Sequence, residues 1–402
     1  MQVMLTAAAP TGEIATDAQQ WVRWRHHLHS LPETGFKEVR TSDYVASVLA
    51  LLGLEVHRGI GGTGIVASLR AGTGPGVIGL RADMDALGIT EDAPGRAYRS
   101  LNPGCMHACG HDGHMAMLLG AAQLLSQRRD FDGTVRFIFQ PAEEHGRGAA
   151  AMMADGFLER FPVEEIYGAH NMPGMPAGHI ATRVGGIMAS EDNFEIRIRG
   201  RGGHAARPHM GVDPLVTGAE VVLALQTLVS RSVDPGESAV VSCTEFITDG
   251  IRNAIPTHVT IKGDTRSYNP QVQALLERRM RELCAGICAA HGAECEVSYT
   301  HEFAPTVNWA ECVPIAVAAA CATVGQDRVD GDVAPVMISE DFGAFLRKVP
   351  GAFVFIGNGD GAEPGAVPLH NARYDFNDEL LPIGARFFAE IARVRLPVRK
   401  GP

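Results

Sequence analysis

Apolar residues along the chain follow two spacings, which together predict alternating helices and strands. Helical spacing occurs in residues 21–29 and 41–52, and a further apolar helix face lies in 113–127. Short runs that are apolar throughout predict buried strands at 64–69, 76–81, 134–139, 165–169 and 352–356. Strands of this kind, when separated by helices, predict a mainly parallel sheet that is covered on both faces.

The middle of the chain has a different pattern. It predicts, in order, a strand at 194–199, a helix at 213–230, strands at 239–248 and 258–267, a helix at 270–291 and a strand at 294–301. Apolar and polar residues alternate in these strands, so one face of their sheet is expected to meet solvent. The order β-α-β-β-α-β is that of a ferredoxin-like α+β unit.

The α/β pattern resumes near residue 352, after this middle region. The sequence therefore predicts an α/β protein with a large domain built from residues 1–189 and 302–402. A ferredoxin-like domain is inserted between them at 190–301, and residues 1–15 are expected to be loose. A chain of 402 residues can bury a large core without a disulfide or a structural metal.

Charge excludes some functions. The chain has 46 acidic and 35 basic residues and a net charge of −11, whereas a nucleic-acid binder carries a basic surface. The same charge gives no attraction to anionic lipids.

The eight scattered cysteines favour reduced thiols or metal ligands over a disulfide framework. Residues 1–20 lack the basic start of a secretory signal, and the most apolar stretch, 313–324, is too short to span a membrane. We therefore expect a cytoplasmic protein that contacts neither membranes nor nucleic acid.

Polar clusters follow four of the predicted strands, where an open parallel sheet binds its ligands. These clusters contain Asp83 and Asp85, the pair Glu143-Glu144, His170 with Asn171, and His370 with Asn371. The segment 105–114 adds two thiols, three imidazoles and one carboxylate within ten residues. Such mixed donors from separate strand ends favour a catalytic metal site with an open position.

Two other interpretations of segment 105–114 stay open, namely a structural zinc site and histidines that bind no metal. Structural zinc commonly uses two close cysteine pairs, but Cys105 and Cys109 are widely spaced and no second pair follows. The neighbouring carboxylates Glu143 and Glu144 fit a catalytic site better. One of them can bind a metal while the other acts as a base on water.

Several segments together resemble one family of hydrolases. The matching segments are 79–87, 106–114, 140–144, 168–171, 200–209, 339–342 and 370–371. They occur in order and are similar to the amidohydrolase branch of the aminoacylase/carboxypeptidase metallopeptidases. The resemblance covers nearly the whole chain from about Trp21. This branch includes hippurate hydrolases, N-acyl-amino-acid deacetylases and auxin–amino-acid conjugate hydrolases.

The resemblance implies a hydrolase with two divalent metal ions, which could be zinc, manganese, cobalt or nickel. The positions that match the family's metal ligands are Cys109, His111, Glu144, His170 and His370. Glu143 matches the general base, and His204 matches a histidine that stabilises the oxyanion in a neighbouring subunit. Asn253 and Arg266 match residues that hold the carboxylate of the substrate. Asp83 and Asp85 are expected to be structural or to support the ligands.

The resulting hypothesis is a metal-dependent amidase that cleaves N-acyl-L-amino acids into a carboxylic acid and an amino acid. The alternatives are a dipeptidase or carboxypeptidase, and a binding protein that has lost turnover. The role of His204 implies a homodimer or a dimer-based tetramer, with the inserted domain serving as lid and dimerisation domain. Three further histidines on one predicted helix, His26, His27 and His29, are expected to be surface or packing residues.

Overall fold

The computed structural model describes residues 11–363 and 365–398. The helices are α1 Thr11–Ser30, α2 Val39–Leu51, α3 His111–Arg128, α4 Gly148–Ala154, α5 Phe157–Arg160, α6 Pro214–Thr227, α7 Pro270–His291, α8 Val313–Val324, α9 Gly343–Leu346 and α10 Leu381–Arg395. The strands are β1 Glu55–Ile60, β2 Gly64–Ala71, β3 Val77–Asp83, β4 Gly133–Gln140, β5 Glu165–Pro173, β6 Ile180–Ala181, β7 Gly185–Met188, β8 Glu191–Arg199, β9 Gly203–His204, β10 Ala239–Thr248, β11 Ala254–Ile255, β12 His258–Ser267, β13 Glu294–Phe303, β14 Thr306–Asn308, β15 Val329–Asp330 and β16 Gly351–Gly359.

The described chain divides into two compact units. The first takes the chain up to Gly185, then Asn308–Val333, and the chain from Phe345 onward. The second unit takes Gly186–Val307 and Ala334–Ala344. The sequence prediction assigned the latter segment to the large domain. Backbone hydrogen bonds place it with the second unit instead, because Ala189 donates to Ile338 and Val336 donates to Ile187, each at 3.0 Å.

An eight-stranded sheet with the order β1-β2-β4-β3-β5-β16-β6-β15 forms the centre of the first unit. Its central strands β4, β3, β5 and β16 run parallel, and they are buried along almost their whole length. The α/β class and the parallel core are therefore as predicted, but the sheet as a whole is mixed. β1 and β2 pair antiparallel because only three residues, 61–63, connect them, which is too short for a parallel crossover.

Helix α3 lies deep in the first unit, where it is buried on most sides. It packs closely on neighbouring helices, since a Cβ added at Gly120 would come within 2.8 Å of Ala385 and 3.0 Å of Trp21. The indole of Trp21 also donates to the side chain of Gln123 at 2.7 Å. This packing fixes the first residue of α3, His111, relative to the sheet.

The second unit contains the predicted ferredoxin-like element order, β8-α6-β10-β12-α7-β13. Its four strands form an antiparallel sheet with the order β10-β12-β8-β13. Alternate residues of β8, namely Phe194, Ile196 and Ile198, are buried against the helices. The side chain of Asp213 caps α6, and that of Asn269 caps α7.

Two predictions concern the start of the chain and its most apolar stretch. The segment predicted to be loose, 1–15, falls partly on residues 1–10, which lie outside the described residues, whereas 11–15 belong to α1. The apolar stretch 313–324 forms helix α8. Within the described residues, no helix combines the length and the apolar character that crossing a membrane requires.

Candidate metal centre

The predicted metal ligands meet near the carboxyl ends of the parallel strands in the first unit. Asp83 ends β3, the glutamates lie in a single 3-10 turn, Glu143–His145, directly after β4, and His170 lies near the end of β5. The structure brings the five predicted ligands together in two groups, within each of which the ligand atoms lie within 4.8 Å of one another. These groups are Cys109 with His111 and His170, and Cys109 with Glu144 and His370. Cys109 belongs to both groups, so its thiol lies within 4.8 Å of the donor atoms of each.

Hydrogen bonds to carbonyl groups set the tautomers of two histidines. His111 Nδ1 lies 2.8 Å from the carbonyl oxygen of Asp85, and His170 Nδ1 lies 2.7 Å from that of Asn171. Because a carbonyl can only accept, each Nδ1 carries the proton and donates it. In the neutral ring, Nε2 is then the nitrogen whose lone pair can bind a metal ion. His170 directs its Nε2 toward Cys109 Sγ at 3.4 Å. This is the arrangement that histidine ligands of metals usually show.

Two buried polar atoms at the site have no hydrogen-bond partner among the described residues. They are His111 Nε2 and Glu144 Oε1, and they lie 3.8 Å apart. Leaving such atoms unsatisfied costs about 1–3 kcal/mol each. Divalent cations bound among the predicted ligands would give each of these atoms a partner. The residues present therefore fit a divalent metal.

The metal centre is open on the side of His370. Its Nε2 lies 3.5 Å from Glu144 Oε2, and its side chain is 54% exposed, whereas His111 is fully buried. The backbone of His370 lies in the left-handed region, with φ of 61°. Non-glycine residues rarely adopt this conformation, and it is often found at functional sites. A substrate can thus approach the ligand groups from this side.

Asp85 holds the turn that carries the two glutamates. Its carboxylate accepts the backbone N–H of Glu143 at 3.0 Å and that of Glu144 at 3.1 Å, and its own carbonyl orients His111. Ala142, just before the turn, has a φ of 49° and donates its N–H to Glu38 at 2.8 Å. The carboxylate of Asp85 is thus used to position the turn, which agrees with the supporting role expected for it.

A second buried network lies beside His170, whose ring centroid is 4.5 Å from that of His114. Asp83 binds Arg81 at 2.8 Å and His114 Nδ1 at 2.7 Å. His114 Nε2 in turn lies 2.7 Å from the amide oxygen of Asn171. Since both ring nitrogens of His114 are engaged, this histidine orients its neighbours in the structure.

Negative charge accumulates at the ligands. Burial, and after it the carboxylates of Asp85 and Asp83, raise the pKa of Glu144 to about 7, although His111 opposes this rise. Burial and the two adjacent glutamates also raise the pKa of the Cys109 thiol. For His111, burial favours the neutral ring, but Asp83 and Asp85 outweigh it and raise its pKa to about 10. An excess of acidic groups around buried donors is the electrostatic setting that a divalent cation stabilises.

The remaining predicted residues lie in the second unit. His204 is exposed on the short ribbon of β9 and β11, where it pairs with Ala254. The N–H of Ala205 donates to the carbonyl of Asn253 at 3.1 Å, so the structure brings His204 and Asn253 together. Arg266 lies on β12, and its guanidinium is already engaged. It contacts Glu191 at 2.8 Å, Asp264 at 2.8 Å and Ser339 at 2.7 Å.

Sequence reasoning missed the support of the Cys109 loop. The side-chain amide of Asn171 donates to the hydroxyl of Tyr374 at 2.6 Å, and both groups lie close to Gly110. A Cβ at Gly110 would lie 2.4 Å from Asn171 and 2.6 Å from Tyr374, and its φ is 95°. In the sequence, only Gly110, which lies between the predicted ligands Cys109 and His111, indicated this close approach.

Comparison with known proteins places these observations in a family. The model of the Peptidase family M20/M25/M40 matches residues 79–394, which include every proposed site residue. A hippurate hydrolase from Campylobacter jejuni is 39% identical over 368 residues, covering 92% of this chain and 94% of that protein. Thermostable carboxypeptidase 1 from Saccharolobus solfataricus is 36% identical over 385 residues, covering 94% and 95%.

A solved structure agrees with both matches. The Bacillus subtilis YXEP protein, described as a dinuclear metal binding peptidase from the M20 family, is 32% identical and superposes with a TM-score of 0.83. The match covers 96% of this chain and 99% of that one. The family model, together with relatives that match over more than 90% of their length, shows that this chain belongs to the peptidase family M20/M25/M40.

Proposed function

We propose that this protein is a metal-dependent amidohydrolase that cleaves N-acyl-L-amino acids, such as hippurate-like or N-acetyl compounds. The products are a carboxylic acid and a free amino acid. The observation that carries this proposal is the pair of ligand groups that share Cys109 next to the buried carboxylate of Glu143. The relationship to a hippurate hydrolase over 92% of the chain supports the substrate class.

The cofactor in this proposal is a pair of divalent ions. Cys109, His111 and His170 would hold one ion, and Cys109, Glu144 and His370 would hold the other. When bound, the ions polarise the amide carbonyl and lower the pKa of the attacking water. A first shell of thiolate, imidazole and carboxylate suits zinc, and manganese, cobalt and nickel are the other candidates.

Glu143 is the proposed general base. Its carboxylate lies 4.0 Å from His111 Nε2, and its backbone is held by Asp85. It takes a proton from the attacking water as the water oxygen bonds to the carbonyl carbon. It then delivers that proton to the amide nitrogen as the C–N bond breaks. One carboxylate thus serves both proton transfers.

The second unit supplies the proposed substrate contacts. His204 stabilises the oxyanion in a neighbouring subunit, and Asn253 and Arg266 hold the carboxylate of the substrate. Because Arg266 is bonded to Glu191 and Asp264, it must give up part of one ion pair to bind that carboxylate. This role of His204 requires a homodimer or a dimer-based tetramer, with the second unit as lid and dimerisation domain.

A reducing compartment suits this site. All eight cysteines are free thiols, and Cys109 can act as a ligand only while it is reduced. We therefore propose the cytoplasm as the location of the protein.

Carboxypeptidase or dipeptidase activity is the second candidate. The carboxypeptidase from Saccharolobus solfataricus is nearly as similar to this chain as the hippurate hydrolase, at 36% against 39% identity. The same site can attack a peptide bond, because peptides and N-acyl-amino acids share the amide and the carboxylate. A binding protein without turnover is disfavoured, since it would not need Glu143 beside two complete ligand groups.

The test is a metal-reconstituted amine-release assay. Protein stripped with a chelator is loaded with zinc, manganese, cobalt or nickel and given N-acetyl-, N-benzoyl- and indoleacetyl-amino acids, with dipeptides in parallel. We expect amine release that depends on metal, and we expect Glu143→Gln to abolish it while both ions stay bound. Release from dipeptides alone would favour the second candidate, and no release from any substrate would refute both.

A further inference from the structure

A buried arginine lies at the centre of an ion-pair cluster in the first unit. Arg25 of helix α1 is completely buried, and its guanidinium contacts three aspartates. Its Nε donates to Asp112 at 2.7 Å, one Nη donates to Asp375 at 2.5 Å, and the other donates to Asp378 at 3.3 Å. Asp112 belongs to the first turn of α3, whereas the other two lie more than 250 residues later in the chain. A single side chain therefore ties three distant segments together.

The geometry of this cluster requires the guanidinium fork. The Nε and two Nη atoms point in fixed directions, so Arg25 can bind separate carboxylates at the same time. A lysine at this position would offer one point charge in place of the planar fork. His29, one turn further along α1, lies 2.9 Å from the same oxygen of Asp112, and the ring of Tyr98 lies 4.8 Å from the guanidinium carbon. The arginine is thus fixed by its surroundings.

Both aspartate segments carry proposed metal ligands. Asp112 directly follows His111, so the bond from Arg25 fixes the first turn of α3. Asp375 follows His370 by five residues, in the segment where His370 adopts its left-handed backbone conformation. The N–H of His370 donates to the carbonyl of Ala108 at 2.8 Å, and the phenyl ring of Phe376 lies against Gly113 of α3. The cluster therefore lies where the two ligand segments meet.

We propose that Arg25 is a positioning residue for the metal centre. By binding Asp112 and Asp375 together, it sets the position of His370 relative to His111, and these two histidines belong to different ligand groups. This inference rests on the proposed metal-dependent function. It predicts that loss of the fork weakens metal binding, most strongly at the group of Cys109, Glu144 and His370, whose histidine is exposed.

The test compares Arg25→Lys with a matched control, Arg393→Lys. Arg393 also binds two carboxylates, Asp130 at 3.0 Å and Glu390 at 2.8 Å, but neither lies beside a proposed ligand. Zinc affinity is measured by competition with a chromophoric chelator, and cobalt absorption reports the geometry at each ligand group. We expect about 10- to 100-fold weaker binding of at least one ion in Arg25→Lys, as for other residues that orient ligands. Arg393→Lys should bind both ions like the wild type.

A second variant decides the matter if Arg25→Lys does not fold. Asp375→Asn removes a partly exposed partner of Arg25, and it should weaken the same ion. The inference is overturned if a folded Arg25→Lys or Asp375→Asn keeps wild-type affinity at both groups, or if Arg393→Lys loses as much. These outcomes differ from failure of the proposed function, in which the wild-type protein itself would bind no metal or release no amine.

Discussion

Substitution of Asp85 tests directly how the turn that carries Glu143 and Glu144 is held in place. Its carboxylate accepts two backbone N–H groups, from Glu143 at 3.0 Å and from Glu144 at 3.1 Å. In Asp85→Asn, one oxygen can still accept, but the new amide group faces the other N–H and cannot. One hydrogen bond to a charged group, worth about 1.5–3 kcal/mol, is lost, and one buried donor is left without a partner at a further cost of about 1–3 kcal/mol.

These losses give an expected destabilisation of about 2–4 kcal/mol, since the turn can relax in part. Relaxation also moves the carboxylate of Glu143, and a displacement of about 1 Å in a catalytic group can cost about 100-fold in rate. We therefore expect kcat for an N-acyl-amino acid to fall by about two orders of magnitude. The assay is steady-state amine release by the metal-loaded protein, with metal content measured on the same sample.

A matched control separates catalysis from stability. Asp132 also accepts two backbone N–H groups, from Thr73 at 2.7 Å and Gly74 at 2.6 Å, but it lies at the opposite ends of the sheet strands, beside Gly133. Both of these bonds end on one oxygen of Asp132, which an asparagine could retain, so the control variant is Asp132→Ala. This change should lower the free energy of unfolding and leave kcat nearly unchanged. Equal kcat values for Asp85→Asn, Asp132→Ala and the wild type would refute the positioning role of Asp85.

Two further predictions concern the second unit and acid stability. His204→Ala should lower kcat by about 10²–10³-fold, the usual loss for one oxyanion donor, with metal content unchanged; a matching loss of metal would contradict that role. Burial opposes ionisation of Glu91, but hydrogen bonds from His29 and Ser100 outweigh it and hold its pKa at about 2. Because this folded-state pKa is below the ordinary value of 4.5, the ionised carboxylate stabilises the protein above about pH 4.5, and that contribution is lost as the pH falls toward 2. Glu91→Gln should therefore be less stable at pH 7 and show a shallower loss of stability between pH 4.5 and 2 in denaturant titrations; unchanged pH profiles would contradict this.

The sequence predicted most of the architecture because hydrophobic period is a local property. The strands around residues 77–83, 133–140 and 165–173 were expected from apolar runs, and each one leads into donor residues. The ferredoxin-like order of the second unit followed from alternation in the same way. The direction of β2 was harder to predict, because it depends on a three-residue connection to β1 and on pairing with β4, which is distant in the sequence.

The types of donor were also visible in the sequence, but their supports were not. Three histidines lie close together on α1, and their spacing alone gave no reason to separate them. In the structure, His29 is completely buried between Asp112 and Glu91, whereas His26 is partly exposed beside Asp378. These partners lie on distant segments, so no local pattern could have distinguished the two residues.

What the sequence alone determined is therefore the fold class and the set of chemical groups available, because both depend on residue type and short-range spacing. The tertiary structure decided how those groups are used. It placed Cys109 in both ligand groups, assigned the carboxylate of Asp85 to two backbone N–H groups, and engaged Arg266 with two carboxylates of its own unit. Such assignments depend on distances between segments far apart in the chain, and only the packing of helices on the sheet sets those distances.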